Sequence, residues 1–194
     1  MKIKYSLKNH IANRFYIYLG ALLLVPLLCS YTVLQMTKPK ENERFSLFVD
    51  VELKNEGLLK DYLLDELKED LVIDAYEMSR NDNLFNAYFS SYGLNSDICI
   101  LSKETMDKFN TMYFLNLEGT VFDNADNYHF GNYSIGIPCH QKGSIELNEY
   151  FDFQSLDDDY YIAVSKDSVH LKDSTLNDSN NQIARVIKLL TNYE

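Results

Sequence analysis

The stretch that decides the fold runs from residue 44 to 101 and holds three apolar runs, RFSLFVDV (44–51), LVIDAY (71–76) and DICIL (97–101), separated by helical patterning. The first run alternates and is rich in Phe and Val, as suits a strand. The third is almost wholly apolar, as expected of a strand covered on both faces. Between the first two, Leu58, Leu59, Tyr62, Leu63 and Leu67 recur every three or four residues, with Lys60, Asp61, Asp65, Glu66 and Lys68 on the other side. That spacing predicts an amphipathic helix. Between the second and third runs, Asn81 or Asp82 can cap a helix carrying Leu84, Phe85, Tyr88 and Phe89, and Gly93 can end it. Strands that alternate with helices return the chain to the same edge direction, so the expected architecture is α/β, a parallel sheet in a three-layer αβα sandwich.

Toward the C-terminus, Ser102 is placed to cap a third helix whose buried stripe would be Met106, Phe109 and Met112 or Tyr113. An Asn- and Asp-rich stretch (116–132) follows, then two further strand-like runs, YSIGIPC (133–139) and YYIAVS (160–165). A closing helix from about residue 179 to 193 shows Ile183, Val186, Ile187 and Leu190 on one side. A hydrophobic fraction of 46% with 13% aromatic residues provides enough burial for a folded core.

Working back to the N-terminus, residues 15–36 contain no charge, and these 22 residues span about 33 Å as a helix, close to the roughly 30 Å hydrocarbon thickness of a bilayer. Tyr16, Tyr18 and Tyr31 lie toward its ends, where amphipathic rings favour the interface, and a membrane helix tolerates Pro26 with a kink. Lys2, Lys4, Lys8 and Arg14 precede the apolar run, and no acidic residue occurs before Glu41. The excess of cations predicts a cytoplasmic N-terminus and an external C-terminal domain at the cell membrane. The expected organisation is a basic head (1–14), a transmembrane helix (15–36), a linker with Pro39 (37–43) and an extracytoplasmic α/β domain (44–194). A cleaved signal peptide is the competing reading, but its apolar part normally runs only about 7 to 15 residues before a small-x-small site. Leu28, directly before Cys29, also departs from a lipoprotein signal.

Charge and motif content narrow the chemistry. All 29 acidic residues but only 14 of the 18 Lys and Arg follow Met36, which leaves that region near −15. Such a surface repels phosphate backbones, so no nucleic-acid partner is expected. None of the seven glycines forms a phosphate-binding loop, and His10, His129, His140 and His170 are scattered without HExxH or CxxC spacing, so neither a cofactor nor a metal is expected. Asp123, Asp126 and the run 157–159 suit calcium less well than a solvated acidic loop, because an EF-hand's glycine and terminal glutamate are missing. Cys139 and His140 are neighbours, but successive strand residues face opposite ways, which argues against a thiol–imidazole pair. Nothing in the sequence requires an enzyme. Cys99 and Cys139 lie in strand-like runs on the external side, and a disulfide or two buried thiols remain equally open.

One family shares this order of elements. Asp97-Ile98-Cys99-Ile100-Leu101 leading into Ser102-Lys103-Glu104, then Tyr133-Ser134-Ile135-Gly136-Ile137-Pro138, then Tyr160 to Asp167 (YYIAVSKD), resemble the strand motifs of type 2 extracellular solute-binding proteins of bacterial ABC transporters. The resemblance covers most of 44–194 and implies a periplasmic-binding-protein-like single lobe. Those proteins usually have two lobes, and this chain has room for one. It also implies an extracytoplasmic binding domain for a small molecule, or for a membrane transporter or other envelope protein. The alternative is an interaction module with no ligand pocket. In open α/β sheets ligands bind beyond the C-terminal strand ends, so the candidate ligand-binding residues are Asp50, Glu77, Ser79, Arg80 and Ser102, with Tyr133 as a stacking surface. Glu52 and Lys103 stand at the same ends.

Overall fold

The computed structural model describes the chain except residues 1, 69–70, 80–81, 110–112, 140–146, 154–158, 172–174, 179 and 192–194, and except the side chains of 2–13 and 148. It falls into two compact units, 1–39 and 40–194.

The first unit is helix α1 (Lys2–Thr37), with Pro26 inside it. Its portion Arg14–Thr37 is long and apolar enough to cross a membrane. The hydroxyls of Thr32 and Thr37 fold back onto the carbonyl oxygens of Leu28 and Val33, at 2.6 and 2.9 Å, so these polar groups are satisfied within the helix.

The second unit is a mixed α/β fold. A short 3₁₀ turn (Glu41–Glu43) leads into β1 (Arg44–Val49), followed by β2 (Glu52–Leu53), α2 (Glu56–Leu67), β3 (Val72–Glu77), α3 (Phe85–Tyr88) and β4 (Ile98–Ser102). Then come α4 (Lys103–Lys108), β5 (Tyr128–Phe130), β6 (Tyr133–Pro138), α5 (Leu147–Tyr150), β7 (Phe151–Asp152), β8 (Tyr160–Val164) and α6 (Gln182–Thr191). The six-stranded sheet has the order β3-β1-β4-β8-β6-β5, and β2 pairs with β7 in a separate ribbon. The first three strands are parallel, as the alternation of strands and helices predicts. The other three run antiparallel, so the sheet is mixed and not wholly parallel. For β5 and β6 the physical reason is the connection: no long crossover helix lies between them, and Gly131, at φ +62°, turns the chain tightly back on itself.

Alternation along the strands divides the core. Phe45, Leu47 and Val49 of β1, with Ile98, Ile100, Ile162 and Val164, pack against Leu59, Leu63 and Leu67 of α2 and Ile183, Val186, Ile187 and Leu190 of α6. Phe48, Cys99, Leu101 and Ala163 face the other way, toward Phe85, Phe89 and Met106. Asn55 caps α2 by accepting from Leu58 N at 3.1 Å, and Lys68 closes it in the left-handed region at φ 53°.

Two helices differ from expectation. After Tyr88, α3 widens into a π turn (Phe89–Gly93). The Phe89 ring lies against Gly93, where an added Cβ would stand 2.3 Å from Phe89 Cδ2, so the turn requires glycine at 93. Helix α4 ends after six residues, where Phe109 becomes extended and packs its ring at a tilt, 4.1 Å from that of Phe89. Met112 lies outside the described residues. The stretch 116–132 is ordered by its own polar groups: Asn127 Nδ2 donates to Phe122 O at 2.8 Å and Ser134 Oγ at 2.9 Å, over the buried Leu117 and Phe122.

Candidate functional site

The C-terminal strand ends, where a ligand was expected, are occupied by the protein itself. Asp50 follows β1 and is almost wholly buried. Its two carboxylate oxygens each accept from Ser102 N at 3.0 Å, and one also accepts from Ser102 Oγ at 2.8 Å and Thr105 Oγ1 at 2.5 Å. Ser102 Oγ in turn accepts from Thr105 N, so the carboxylate fastens the start of α4 to β1. Asp50 and Ser102 are thus brought together, but as a buried structural knot. Glu77 lies at the end of β3 and accepts from Leu53 N at 3.1 Å, while exposed Ser79 uses its carbonyl to accept from Asp82 N. Tyr133 is exposed on β6, three strands away from β1, and so is not part of the same group. Arg80 lies outside the described residues.

An open groove of about 410 Å³ lies instead over the N-terminal half of β1 and the middle of β3. Arg44 and Ser46 of β1 and Asp74 and Tyr76 of β3 contribute strand side chains. They share one face because Ser46 is aligned with Asp74 and Arg44 with Val72 in the parallel register, and side chains alternate. The π turn and the residues after it add Ser91, Tyr92 and Asn95. The segment after β8 adds Asp167, Ser168 and Val169, and Glu41 and Asp97 complete the lining.

Arg44 is held in place by Asp74, whose Oδ2 accepts from Nε at 3.0 Å and from an Nη at 2.5 Å. That hydrogen bond, and then the charge of Asp74, raise the Arg44 guanidinium above its ordinary value, so it stays cationic at any accessible pH. Burial, reinforced by the Asp74 carboxylate and partly offset by Arg44, raises the Tyr76 phenol, which therefore stays a hydrogen-bond donor. Tyr76 and Tyr92 sit 5.0 Å apart and form an aromatic side to the groove, and Tyr88 lies behind Tyr92 at 4.5 Å.

Beneath it, Asp97 is a second buried carboxylate. Its Oδ2 accepts from the backbone N and Oγ of Ser46, both at 2.8 Å, and its Oδ1 accepts from Ser168 Oγ. His170 Nε2 donates to the carbonyl oxygen of Arg44 at 2.9 Å and lies 4.0 Å from Asp97 Oδ2. Both serine hydroxyls therefore point at a carboxylate. The constellation ties β1, β4 and the segment after β8 together and does not present a nucleophile to a base.

The cysteines resolve the open alternative: Cys99 and Cys139 are both free and buried, and they belong to the two separate apolar clusters. Burial pushes the Cys139 thiol up to about 12 and raises Cys99 further, which leaves neither as a ready thiolate. His140 and residues 157–158 lie outside the described residues. Among the described residues no group of His, Cys, Asp and Glu is arranged to hold a metal ion.

Sequence reasoning passed over Arg44, Asp74, Tyr76, Tyr92 and Asp97. A signal was present in Asp74, a lone acid inside the apolar run LVIDAY, and in Arg44 at the head of the neighbouring strand. Only the register, however, shows that the two meet. No family model, curated protein or solved structure matches the chain.

Proposed function

We propose that this chain is a membrane-anchored extracytoplasmic binding domain, in which the groove over β1 and β3 captures a small ligand or a segment of a partner protein without catalysis. The observation that carries the reading is the groove itself, a volume of about 410 Å³ bordered by the fixed Arg44–Asp74 pair and by Tyr76 and Tyr92. Ligand sites combine this kind of concavity with a few oriented polar groups and aromatic surface. The resemblance to type 2 solute-binding proteins supports capture outside the membrane. With a single periplasmic-binding-protein-like lobe, capture relies on an open groove and not on closure of two lobes.

Glu41, Asp74, Asp97 and Asp167 outnumber Arg44 among the lining residues, so a cation or a donor-rich neutral ligand fits better than an anion. The four cations ahead of residue 15 support a cytoplasmic N-terminus, with α1 as the membrane partner. A thermal-shift screen of the full chain in detergent, using amines, amino acids, sugars and short peptides, tests the reading. It predicts a dose-dependent rise in melting temperature with cationic members of the panel, and a flat response throughout would refute it.

A further inference from the structure

The groove opens beside an uncapped sheet edge. Strand β3 ends the six-stranded order, and among the described residues no strand lies beyond it. Met78 N donates to Val49 O, on the β1 side, at 3.2 Å. Backbone groups in a parallel strand alternate sides residue by residue, so Val72, Asp74 and Tyr76 turn theirs toward β1 while Ile73, Ala75 and Glu77 turn theirs outward. The strand is six residues long and contains neither Lys nor Pro, two common devices for blunting an edge. Asp74 and Tyr76, whose side chains enter the groove, are therefore carried by the strand whose other side offers main-chain hydrogen bonds.

We propose that the open edge of β3 is a strand-addition site for an extended basic peptide segment, whose alternate Lys or Arg side chains reach into the adjoining groove. This rests on the binding reading above and names its ligand. Main-chain pairing along Ile73, Ala75 and Glu77 would supply affinity, and the groove would read every second side chain. Charge decides between occupants. The region after Met36 is near −15, so it repels a second copy of itself and attracts a cationic strand. On the groove face, Glu41 and Asp167 offer carboxylates and Tyr76 and Tyr92 offer ring faces to an ammonium or guanidinium.

The test uses the full chain in lipid nanodiscs and a capped heptapeptide of alternating Lys and Thr, titrated calorimetrically. Two further peptides carry N-methyl groups either on every Lys or on every Thr. Because the amides of an added strand alternate sides, one N-methylated set is expected to lose at least tenfold in affinity while the other binds as the parent does. Ala75→Pro removes one outward N–H and none directed at β1, so it should retain the fold and lower peptide affinity at least tenfold. Glu41→Gln with Asp167→Asn should weaken binding of the parent peptide without removing the contrast between the N-methylated sets. Equal affinity of both sets, together with an unaffected Ala75→Pro variant, would overturn strand addition while leaving the binding groove in place. Failure of every peptide and amine to bind would overturn both readings. If the peptides fail and Ala75→Pro instead dissolves a dimer seen by light scattering, the edge's occupant is a second copy and the proposal falls.

Discussion

Asp50 and Ser102 meet where β1 and β4 end: both oxygens of the buried carboxylate accept the Ser102 N–H at 3.0 Å, and one also accepts the Ser102 hydroxyl at 2.8 Å. This is the position in a parallel sheet where a ligand commonly sits. Here the helix start, held by an acid from the neighbouring strand, takes the ligand's place.

Replacing Asp50 with Ala would leave the Ser102 N–H without its acceptor in a buried site, and the hydroxyls of Ser102 and Thr105, 3.1 Å apart, with one acceptor fewer than they need. Each stranded group carries a desolvation cost, so the expected loss is about 2–4 kcal/mol of folding stability. Chemical denaturation of the full chain in detergent measures it. Thr105→Val removes one of the donors and should cost less. An Asp50→Ala variant as stable as the parent would contradict the knot.

Cys99 and Cys139 should behave as two protected thiols. In a Cys29→Ala background, maleimide at neutral pH is expected to leave both unmodified in the native chain and to modify both in denaturant without a reductant, as read by mass spectrometry. A bridge would block modification in denaturant as well. A pH dependence follows. The unfolded thiols release protons near 9, whereas the native thiols hold theirs to about 12 for Cys139 and beyond for Cys99, so the native state binds more protons between these limits. Stability is therefore full well below pH 9 and falls as pH rises through it, by about 1–2 kcal/mol between pH 8 and 9.5 for the two groups together. Denaturant midpoints measured across that interval should fall in the parent and stay nearly level in a Cys99→Ala, Cys139→Ala double variant.

Gly93→Ala should be costly for a reason unrelated to helix propensity. The new methyl would stand 2.3 Å from Phe89 Cδ2, and Phe89 is fully buried between Phe48, Phe85 and Phe109. The expected loss is about 1–3 kcal/mol, with a change in near-ultraviolet circular dichroism as the aromatic cluster repacks and Tyr92 shifts. An unchanged spectrum and melting temperature would show that the π turn relaxes freely.

How far the sequence speaks for itself depends on the range of the interactions. RFSLFVDV, LVIDAY and DICIL became the three parallel strands, and the 3-and-4 spacing of Leu59, Leu63 and Leu67 became the buried stripe of α2, because burial patterns are local. The apolar stretch before Met36 was legible for the same reason. Strand direction was not: YSIGIPC and YYIAVS read equally well either way up, and only the pairing, with β8 antiparallel to both β4 and β6, reveals it. The two-residue strands β2 and β7 are too short to leave any periodic trace. The groove was illegible because it is a matter of register. Arg44 and Asp74 are 30 residues apart and meet only once β1 and β3 are aligned, while Asp50 and Ser102, chosen as ligand contacts, satisfy each other across an even longer separation.

Binding in the groove is tested most directly with a single reporter. The chain has no tryptophan, so Tyr92→Trp places one indole beside Tyr76 at the groove, and its fluorescence can be followed in the full chain in nanodiscs. Titration with the capped Lys–Thr heptapeptide should give a saturable spectral change that weakens with added salt and is reduced by Glu41→Gln with Asp167→Asn. A folded Tyr92→Trp chain whose emission stays constant with that peptide, and with every amine, amino acid and sugar tried, would contradict a ligand-binding groove over β1 and β3.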